Sequence, residues 1–196
     1  QANPLVEWQA APISAPGDVK VERFYHGLGI GDVNKDGRED VLTPAGWWER
    51  PAADGTRSVP ATMEAWAFHP AAFGQALAQM YVYDFDGDGD NDVMGSSAHR
   101  RGIWWYEQDG KEWKTHLIDE SIAQTHALVL ADMNGDGLPD LVTGKRYYAH
   151  NGRDPGEDEP PELAWFELSR EGGRPTWTKH LIDNDSGVGT QFEVHD

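Results

Sequence analysis

Cysteine is absent from the 196-residue sequence, and basic residues are scarce. The lack of thiols excludes a disulfide scaffold, a cysteine-ligated zinc site and a cysteine nucleophile. Only 16 lysines and arginines stand against 34 aspartates and glutamates, which gives a formal net charge of −18. Because phosphate binding needs clustered basic side chains, we expect no nucleic-acid partner. No apolar run approaches the roughly 18 residues of a transmembrane helix, so we also expect no membrane span.

Glycine, proline and tryptophan are plentiful instead, with 22, 12 and 9 residues. This composition favours short strands joined by tight turns. Apolar residues alternate or form brief runs in HGLGIGDV, MYVYDFD and HALVLADM, without the three-and-four spacing of a helix. The sequence therefore predicts an all-β fold.

An acidic segment occurs three times, and the first aspartates of the copies, Asp32, Asp84 and Asp132, are 52 and 48 residues apart. A second signal precedes this segment, since WKTHLID at 113–119 and WTKHLID at 177–183 differ only by a swap of lysine and threonine. Four short strands in a repeat of this length are typical of a β-propeller blade. We therefore predict a β-propeller of four-stranded antiparallel blades.

About three complete blades fit the sequence, whereas a closed ring needs about four to eight. We expect the remaining blades, or another chain, to complete the ring. We interpret residues 1–196 as one partial propeller domain, in which 1–15 supply the last strand of a preceding blade and 188–196 begin the next one. The predicted blades are 21–70, 76–119 and 124–183.

Each acidic segment places oxygen-bearing side chains at positions 1, 3, 5 and 9 of a nine-residue loop, with glycine at position 6. Crowded carboxylates repel one another unless a cation lies among them. Carboxylate, amide and carbonyl oxygens are hard ligands that suit Ca²⁺, and the backbone carbonyl of position 7 would complete the shell. The predicted ligands are Asp32, Asn34, Asp36, Arg38 and Asp40 in the first loop, Asp84, Asp86, Asp88, Asp90 and Asp92 in the second, and Asp132, Asn134, Asp136, Leu138 and Asp140 in the third.

Two other interpretations of these loops are open. An EF-hand needs a bidentate glutamate at position 12 and flanking helices, whereas position 12 here is Thr43, Gly95 or Thr143 and the flanks are predicted strands. A solvated acidic turn without metal explains one such loop more easily than three in register.

The repeat with its acidic loops closely resembles the FG-GAP, or VCBS, repeats of bacterial extracellular proteins and integrin α-chain propellers. The resemblance covers nearly the whole chain. It implies a seven-bladed propeller with one Ca²⁺ loop per blade, between the innermost strand and the next. We expect about three structural Ca²⁺ ions, which would change the net charge from −18 to −12. Such loops suit the calcium concentrations outside cells, so we expect a secreted or periplasmic protein.

Several polar and aromatic residues are predicted to lie on the face opposite the acidic loops. In an antiparallel blade, the segment before the first strand and the loop from the second strand to the third share that face. The candidate catalytic residues there are His26, His126, His99, Arg100, Lys145 and Arg146. The candidate ligand-binding residues are Trp47, Trp48, Gln79, Arg101, Tyr147, Tyr148, His150 and Gln191.

These residue types suit an anionic or carbohydrate ligand. Arginine and lysine would hold carboxylate or hydroxyl oxygens, and aromatic rings would stack on sugar faces. The histidines would act as general bases or bind an additional divalent metal at the channel mouth. In the simpler alternative, they cap strand ends by hydrogen bonding and the basic side chains are solvated. For His116 and His180, which recur with tryptophan on an outer strand, we expect blade packing.

Two functions remain open. The first is an extracellular, calcium-stabilised propeller that binds a carbohydrate or a protein partner on the face opposite the calcium loops. The second is a carbohydrate-active enzyme, a lyase or dehydratase in which histidine takes a proton beside a carbonyl group. The HGLGIGD and HALVLAD strands, with their basic loops, are more weakly similar to the propeller of aldos-2-ulose dehydratase, which would imply elimination of water from an oxidised sugar.

Overall fold

The computed structural model describes residues 12–14, 26–52, 66–74, 77–148, 150–172 and 174–195. These segments contain twelve strands and no helix, and so no helix that could cross a membrane. The strands are β1 (Leu28–Gly31), β2 (Asp40–Thr43), β3 (Gly46–Glu49), β4 (Ala67–Pro70), β5 (Leu77–Tyr83), β6 (Asp92–Ser97), β7 (Arg101–Asp109), β8 (Glu112–Ala123), β9 (Leu128–Ala131), β10 (Asp140–Gly144), β11 (Leu163–Glu171) and β12 (Arg174–Asp183).

The strands form three consecutive four-stranded units: β1–β4, β5–β8 and β9–β12. Within each unit, strands that follow one another in the chain pair antiparallel. This arrangement is that of a partial β-propeller and confirms the predicted fold class.

The ends of the predicted blades differ from the observed strands in places. β8 runs past residue 119 to Ala123. The strand predicted in 1–15 lies almost wholly outside the described residues, and the described residues 188–195 contain no strand.

A parallel pairing of β1 with β5 joins the first two units into one eight-stranded sheet, a contact that the sequence did not predict. Glycines on β1 permit this approach. A Cβ atom added at Gly29 would lie 2.7 Å from the Met80 carbonyl oxygen, and one added at Gly31 would lie 2.6 Å from the Val82 Cβ atom. Because no side chain separates them, the two backbones come within hydrogen-bonding distance.

Side chains join the second and third units instead. At the position where β1 has Gly29, β9 has Val129. Gln79 Oε1 accepts a hydrogen bond from the Leu128 backbone N–H at 2.9 Å, and the Tyr81 hydroxyl donates to the Leu128 carbonyl at 2.6 Å. Long polar side chains thus take the place of the backbone pairing seen between the first two units.

Hydrophobic cores fill the spaces between neighbouring units. The core between the first and second units includes Leu42, Trp47, Phe73, Met80 and Tyr106. The core between the second and third units includes Phe85, Met94, Ile103, Leu141 and Phe166. Each unit therefore depends on its neighbour to bury its apolar face.

A Trp–His–Glu triad recurs on the third and fourth strands of every unit. The tryptophan stacks on the histidine directly opposite, with ring centroids 4.2–4.3 Å apart. Nε2 of the histidine lies 2.7–2.8 Å from the carboxylate of a glutamate two residues after the tryptophan. The expectation of blade packing for His116 and His180 is confirmed. The triads are Trp47–His69–Glu49, Trp105–His116–Glu107 and Trp165–His180–Glu167.

The substitution Gly29→Ala should destabilise the domain by about 1–3 kcal/mol, because a methyl group there overlaps the Met80 backbone. Urea unfolding followed by tryptophan fluorescence measures this loss. Gly189→Ala is the matched control, since a Cβ atom at Gly189 comes no closer than 3.9 Å to its neighbours. Equal unfolding midpoints for the two variants would contradict the close approach of β1 and β5.

Candidate functional site

The acidic loops, residues 32–40, 84–92 and 132–140, connect the first strand of each unit to the second. In every loop, the backbone N–H of position 7 donates to the carboxylate of position 5 at 2.8–2.9 Å. Positions 4 and 6 have positive φ in all three loops, and glycine fills five of these six places. The exception is Lys35, with φ of 56°. The three loops therefore share one backbone conformation.

The second loop brings three carboxylates together. Asp84, Asp86 and Asp88 each have a carboxylate oxygen within 4.8 Å of the others. Burial, and then the neighbouring charges of Asp88 and Asp84, raise the pKa of Asp86. Three hard oxygen donors at this spacing fit a Ca²⁺ ion, which would relieve their repulsion.

The aspartate at position 9 has a structural role that sequence reasoning missed. Its side chain is fully buried in every loop. One carboxylate oxygen accepts from the backbone N–H of position 2 at 2.9–3.0 Å, and the other accepts from a backbone N–H in or directly after the third strand at 2.8–2.9 Å. Burial raises the pKa of Asp92 to about 6. Asp40, Asp92 and Asp140 therefore fasten each acidic loop to the third strand of its unit.

Contacts between units tie the loops together. Lys35 Nζ lies 3.3 Å from an Asp84 carboxylate oxygen, and the Asn91 amide donates to the Asp32 carbonyl at 2.6 Å. Arg170 of the third unit donates to the Phe85 carbonyl at 2.9 Å and also contacts the Asp84 carbonyl. The conformation of the second loop thus depends on both of its neighbours.

Four histidines from all three units meet at the opposite end of the first strands. His26 and His126 precede β1 and β9, His99 follows β6, and His150 follows β10. The ring centroids are 4.6 Å apart for His26 and His99, 5.1 Å for His26 and His126, 6.0 Å for His99 and His126, and 4.6 Å for His99 and His150. We call His26, His99, His126 and His150 the histidine cluster.

One cation and one anion flank the histidine cluster. Arg146 Nη2 lies 3.4 Å from His99 Nδ1. Asp154 Oδ2 lies 3.2 Å from His99 Nδ1 and 2.8 Å from His150 Nδ1. The cluster therefore offers donors and acceptors of both charges.

Three of the clustered histidines have lowered pKa values. Burial lowers the pKa of His26, His99 and His126, and the charge of Arg146 lowers it further. Near pH 7 their imidazoles are therefore neutral and able to accept a proton.

Several buried polar atoms at this site have no hydrogen-bond partner among the described residues. They are His126 Nδ1, Arg146 Nε and both side-chain polar atoms of Gln124. Gln124 also has φ of 55°, an unusual value for a residue other than glycine. Unsatisfied buried groups and backbone strain concentrate at functional sites.

Sequence reasoning missed Gln124 and Asp154. Asp154 lies in an acidic, proline-rich stretch whose composition indicated only a surface loop. Gln124 precedes His126 by two residues, and nothing in the sequence marks it for burial. Only the folded chain brings Asp154 to His99 and His150.

Three other predicted site residues make hydrogen bonds to backbone groups within the fold. Lys145 is buried, and its ammonium group donates to the Glu157 carbonyl at 3.1 Å. Arg101 donates to the Ser121 carbonyl at 2.9 Å and contacts Glu159. Gln79 makes the contact to Leu128 described above.

The two tryptophans among the predicted ligand-binding residues are buried. Trp47 and Trp48 were expected to bind ligand, but the structure places them in packed surroundings, with 8% and 5% of their surface exposed. They lie on β3, where Trp47 stacks on His69 and the Trp48 ring packs at a tilt against Phe68. Four other predicted residues are exposed: Arg100, Tyr147, Tyr148 and Gln191.

Residues 84–143 match a family model described as an FG-GAP-like repeat. This match runs from the second acidic loop to β10 and confirms the predicted resemblance to FG-GAP repeats. No curated protein matches the chain significantly. Neither comparison supports the weaker resemblance to aldos-2-ulose dehydratase.

Proposed function

We propose that this chain, which carries an FG-GAP-like repeat, is a calcium-stabilised β-propeller-type domain that binds a carbohydrate at the histidine cluster. The observation that carries the proposal is the meeting of four histidines with Arg146 and Asp154, on the face opposite the acidic loops. Calcium would stabilise one face, and the other would bind the ligand. Since repeats of this kind suit calcium-rich surroundings, a secreted or periplasmic location follows as part of the proposal.

The acidic loops should differ in their affinity for calcium. The second loop has carboxylates at positions 1, 3, 5 and 9, whereas the other two have asparagine at position 3. In the first loop, Arg38 already contacts the Asp36 carboxylate. Lys35 of the same loop reaches the Asp84 carboxylate and offsets part of the charge of the second loop. Because affinity rises with the negative charge of the ligands, the first loop should bind calcium most weakly.

The chemistry of the cluster favours a small, hydroxyl-rich ligand. Neutral imidazoles both donate and accept hydrogen bonds, Arg146 donates, and Asp154 accepts. The buried atoms of His126, Arg146 and Gln124 that lack partners would gain them from sugar hydroxyl groups. A protein partner fits less well, because most of these side chains are at least partly buried.

A second candidate function is elimination of water from a keto-sugar. The lowered pKa values of His26, His99 and His126 favour it, because a neutral imidazole can act as a general base. One histidine would take the proton from the carbon beside the carbonyl group, and Arg146 would stabilise the enolate oxygen. The C–O bond at the next carbon would then break, and the imidazolium would return its proton to the departing hydroxyl group, which leaves as water.

The substitution His126→Asn should weaken carbohydrate binding at least about tenfold, because it removes the imidazole whose buried Nδ1 atom would bind the ligand. Glycan screening followed by calorimetry in calcium buffer measures this loss, and ¹H NMR of a keto-sugar substrate detects any elimination. His180→Asn is the control: it should lower stability through its Trp–His–Glu triad and leave binding unchanged. Equal glycan affinity in His126→Asn and the unmodified protein would contradict the proposed site.

A further inference from the structure

Two histidines and one aspartate form a compact group at the edge of the histidine cluster. One ring nitrogen of His99, one of His150 and one carboxylate oxygen of Asp154 all lie within 4.8 Å of one another. Ligands bound tetrahedrally to one ion at about 2.0–2.2 Å are about 3.4 Å apart. A small movement of Asp154, which now lies between the rings, would bring all three atoms around a single ion.

Hydrogen bonds within the loop between β10 and β11 position Asp154 beside His99 and His150. Glu157 is buried, and its carboxylate accepts the backbone N–H groups of Gly152 and Asp154, the latter at 3.0 Å. Lys145 fastens the same loop through the Glu157 carbonyl. His150, in the same loop, has φ of 55°, in the left-handed region that residues other than glycine seldom adopt. The backbone that carries Asp154 therefore starts from a defined position, as a metal site requires.

We propose that His99, His150 and Asp154 bind a divalent transition metal of the Zn²⁺ type. Two imidazole nitrogens and one carboxylate oxygen suit zinc, whereas calcium prefers oxygen ligands alone. His150 is 52% exposed in its side chain, so solvent and ions reach the group. Three protein ligands would leave the fourth position open, as in catalytic zinc sites.

Arg146 determines what the open position would accept. Its guanidinium group lies 3.4 Å from His99 Nδ1, so the metal and the arginine together would make the site positively charged. An anionic oxygen, such as a carboxylate or an enolate, would contact both. This use of the metal rests on the proposed carbohydrate site, whereas metal binding itself does not.

A titration of the full chain with Co²⁺, in the presence of millimolar Ca²⁺, tests the metal site. Calcium keeps the acidic loops occupied, and Co²⁺ reports nitrogen ligation through its visible absorption. We expect one equivalent of Co²⁺ to bind and one equivalent of Zn²⁺ to displace it. His150→Asn and Asp154→Asn should each weaken the affinity at least about tenfold. His180→Asn, a histidine in a packing triad, should leave the affinity unchanged.

Melting curves in calcium show whether each variant is folded, and exposed His150 is the position least expected to matter for folding. Absence of a visible Co²⁺ band, or unchanged affinity in a folded Asp154→Asn variant, would overturn the metal site. Carbohydrate binding is measured separately, with and without Zn²⁺. Zinc binding without carbohydrate binding would support the metal site and contradict the proposed ligand. Carbohydrate binding without zinc binding would overturn the metal site alone.

Discussion

Removal of calcium by a chelator should lower the melting temperature of this domain by about 20 °C. Saturation of one site at 100 times its dissociation constant stabilises the folded state by about 2.7 kcal/mol. Three such loops would supply about 8 kcal/mol, and each kcal/mol shifts the melting temperature of a domain of this size by about 2–4 °C. Without calcium, the carboxylates of Asp84, Asp86 and Asp88 in the second loop repel one another, since an oxygen of each lies within 4.8 Å of the others.

Differential scanning fluorimetry, with chelator followed by excess Ca²⁺ or Mg²⁺, measures this effect. Calcium should restore the melting temperature, and magnesium should restore it less, because Mg²⁺ demands a regular octahedral shell. Asp86→Asn and Asp88→Asn should each remove part of the calcium response, whereas Asp185→Asn, an exposed aspartate outside the loops, should keep all of it. A melting curve indifferent to chelator would refute calcium binding in all three loops.

Replacement of the buried Asp92 should cost about 2–6 kcal/mol even in saturating calcium. Both of its carboxylate oxygens accept backbone hydrogen bonds, from Phe85 at 3.0 Å and from Gln108 at 2.9 Å. The substitution Asp92→Ala leaves both N–H groups without partners, and each buried orphan donor costs about 1–3 kcal/mol. It also detaches the second acidic loop from β7.

Urea unfolding in calcium measures the loss for Asp92→Ala. Asp90→Ala is the control, because the side chain at position 7 is exposed and only its backbone carbonyl is predicted to bind calcium. Asp92→Asn keeps one acceptor oxygen and should fall between the two. If Asp92→Ala and Asp90→Ala unfold at the same urea concentration, the two hydrogen bonds contribute nothing to stability.

Much of the fold was predictable because the relevant forces act over short stretches of chain. Alternating apolar residues before Asp32, Asp84 and Asp132 predicted the first strands, and they are β1, β5 and β9. Glycine stands at position 6 of every acidic loop, and every one of these glycines has positive φ. The recurrence of tryptophan with His116 and His180 predicted their packing role.

The contacts between units were not predictable from the same patterns. Gly29 of β1 and Val129 of β9 occupy equivalent places in the repeat, yet only β1 pairs with β5. The difference depends on whether the backbones of two neighbouring strands can approach each other. This approach depends on the side chains of both strands. Trp47 and Trp48 illustrate the same limit, because their aromatic character suits a ligand platform and a packed interior equally well.

The sequence by itself determined the class of the strands and the oxygen-rich loops, since each strand and each loop is a short continuous segment, and it determined the repeat through the recurrence of these segments. Only the tertiary structure decided that Asp92 fastens a loop to a distant strand and that Asp154 joins His99 and His150. These contacts could not be predicted from the sequence because hydrogen bonds, burial and charge act between residues that are close in space. Residues far apart in the chain form one site only when packing of the three units brings them within a few ångströms of one another.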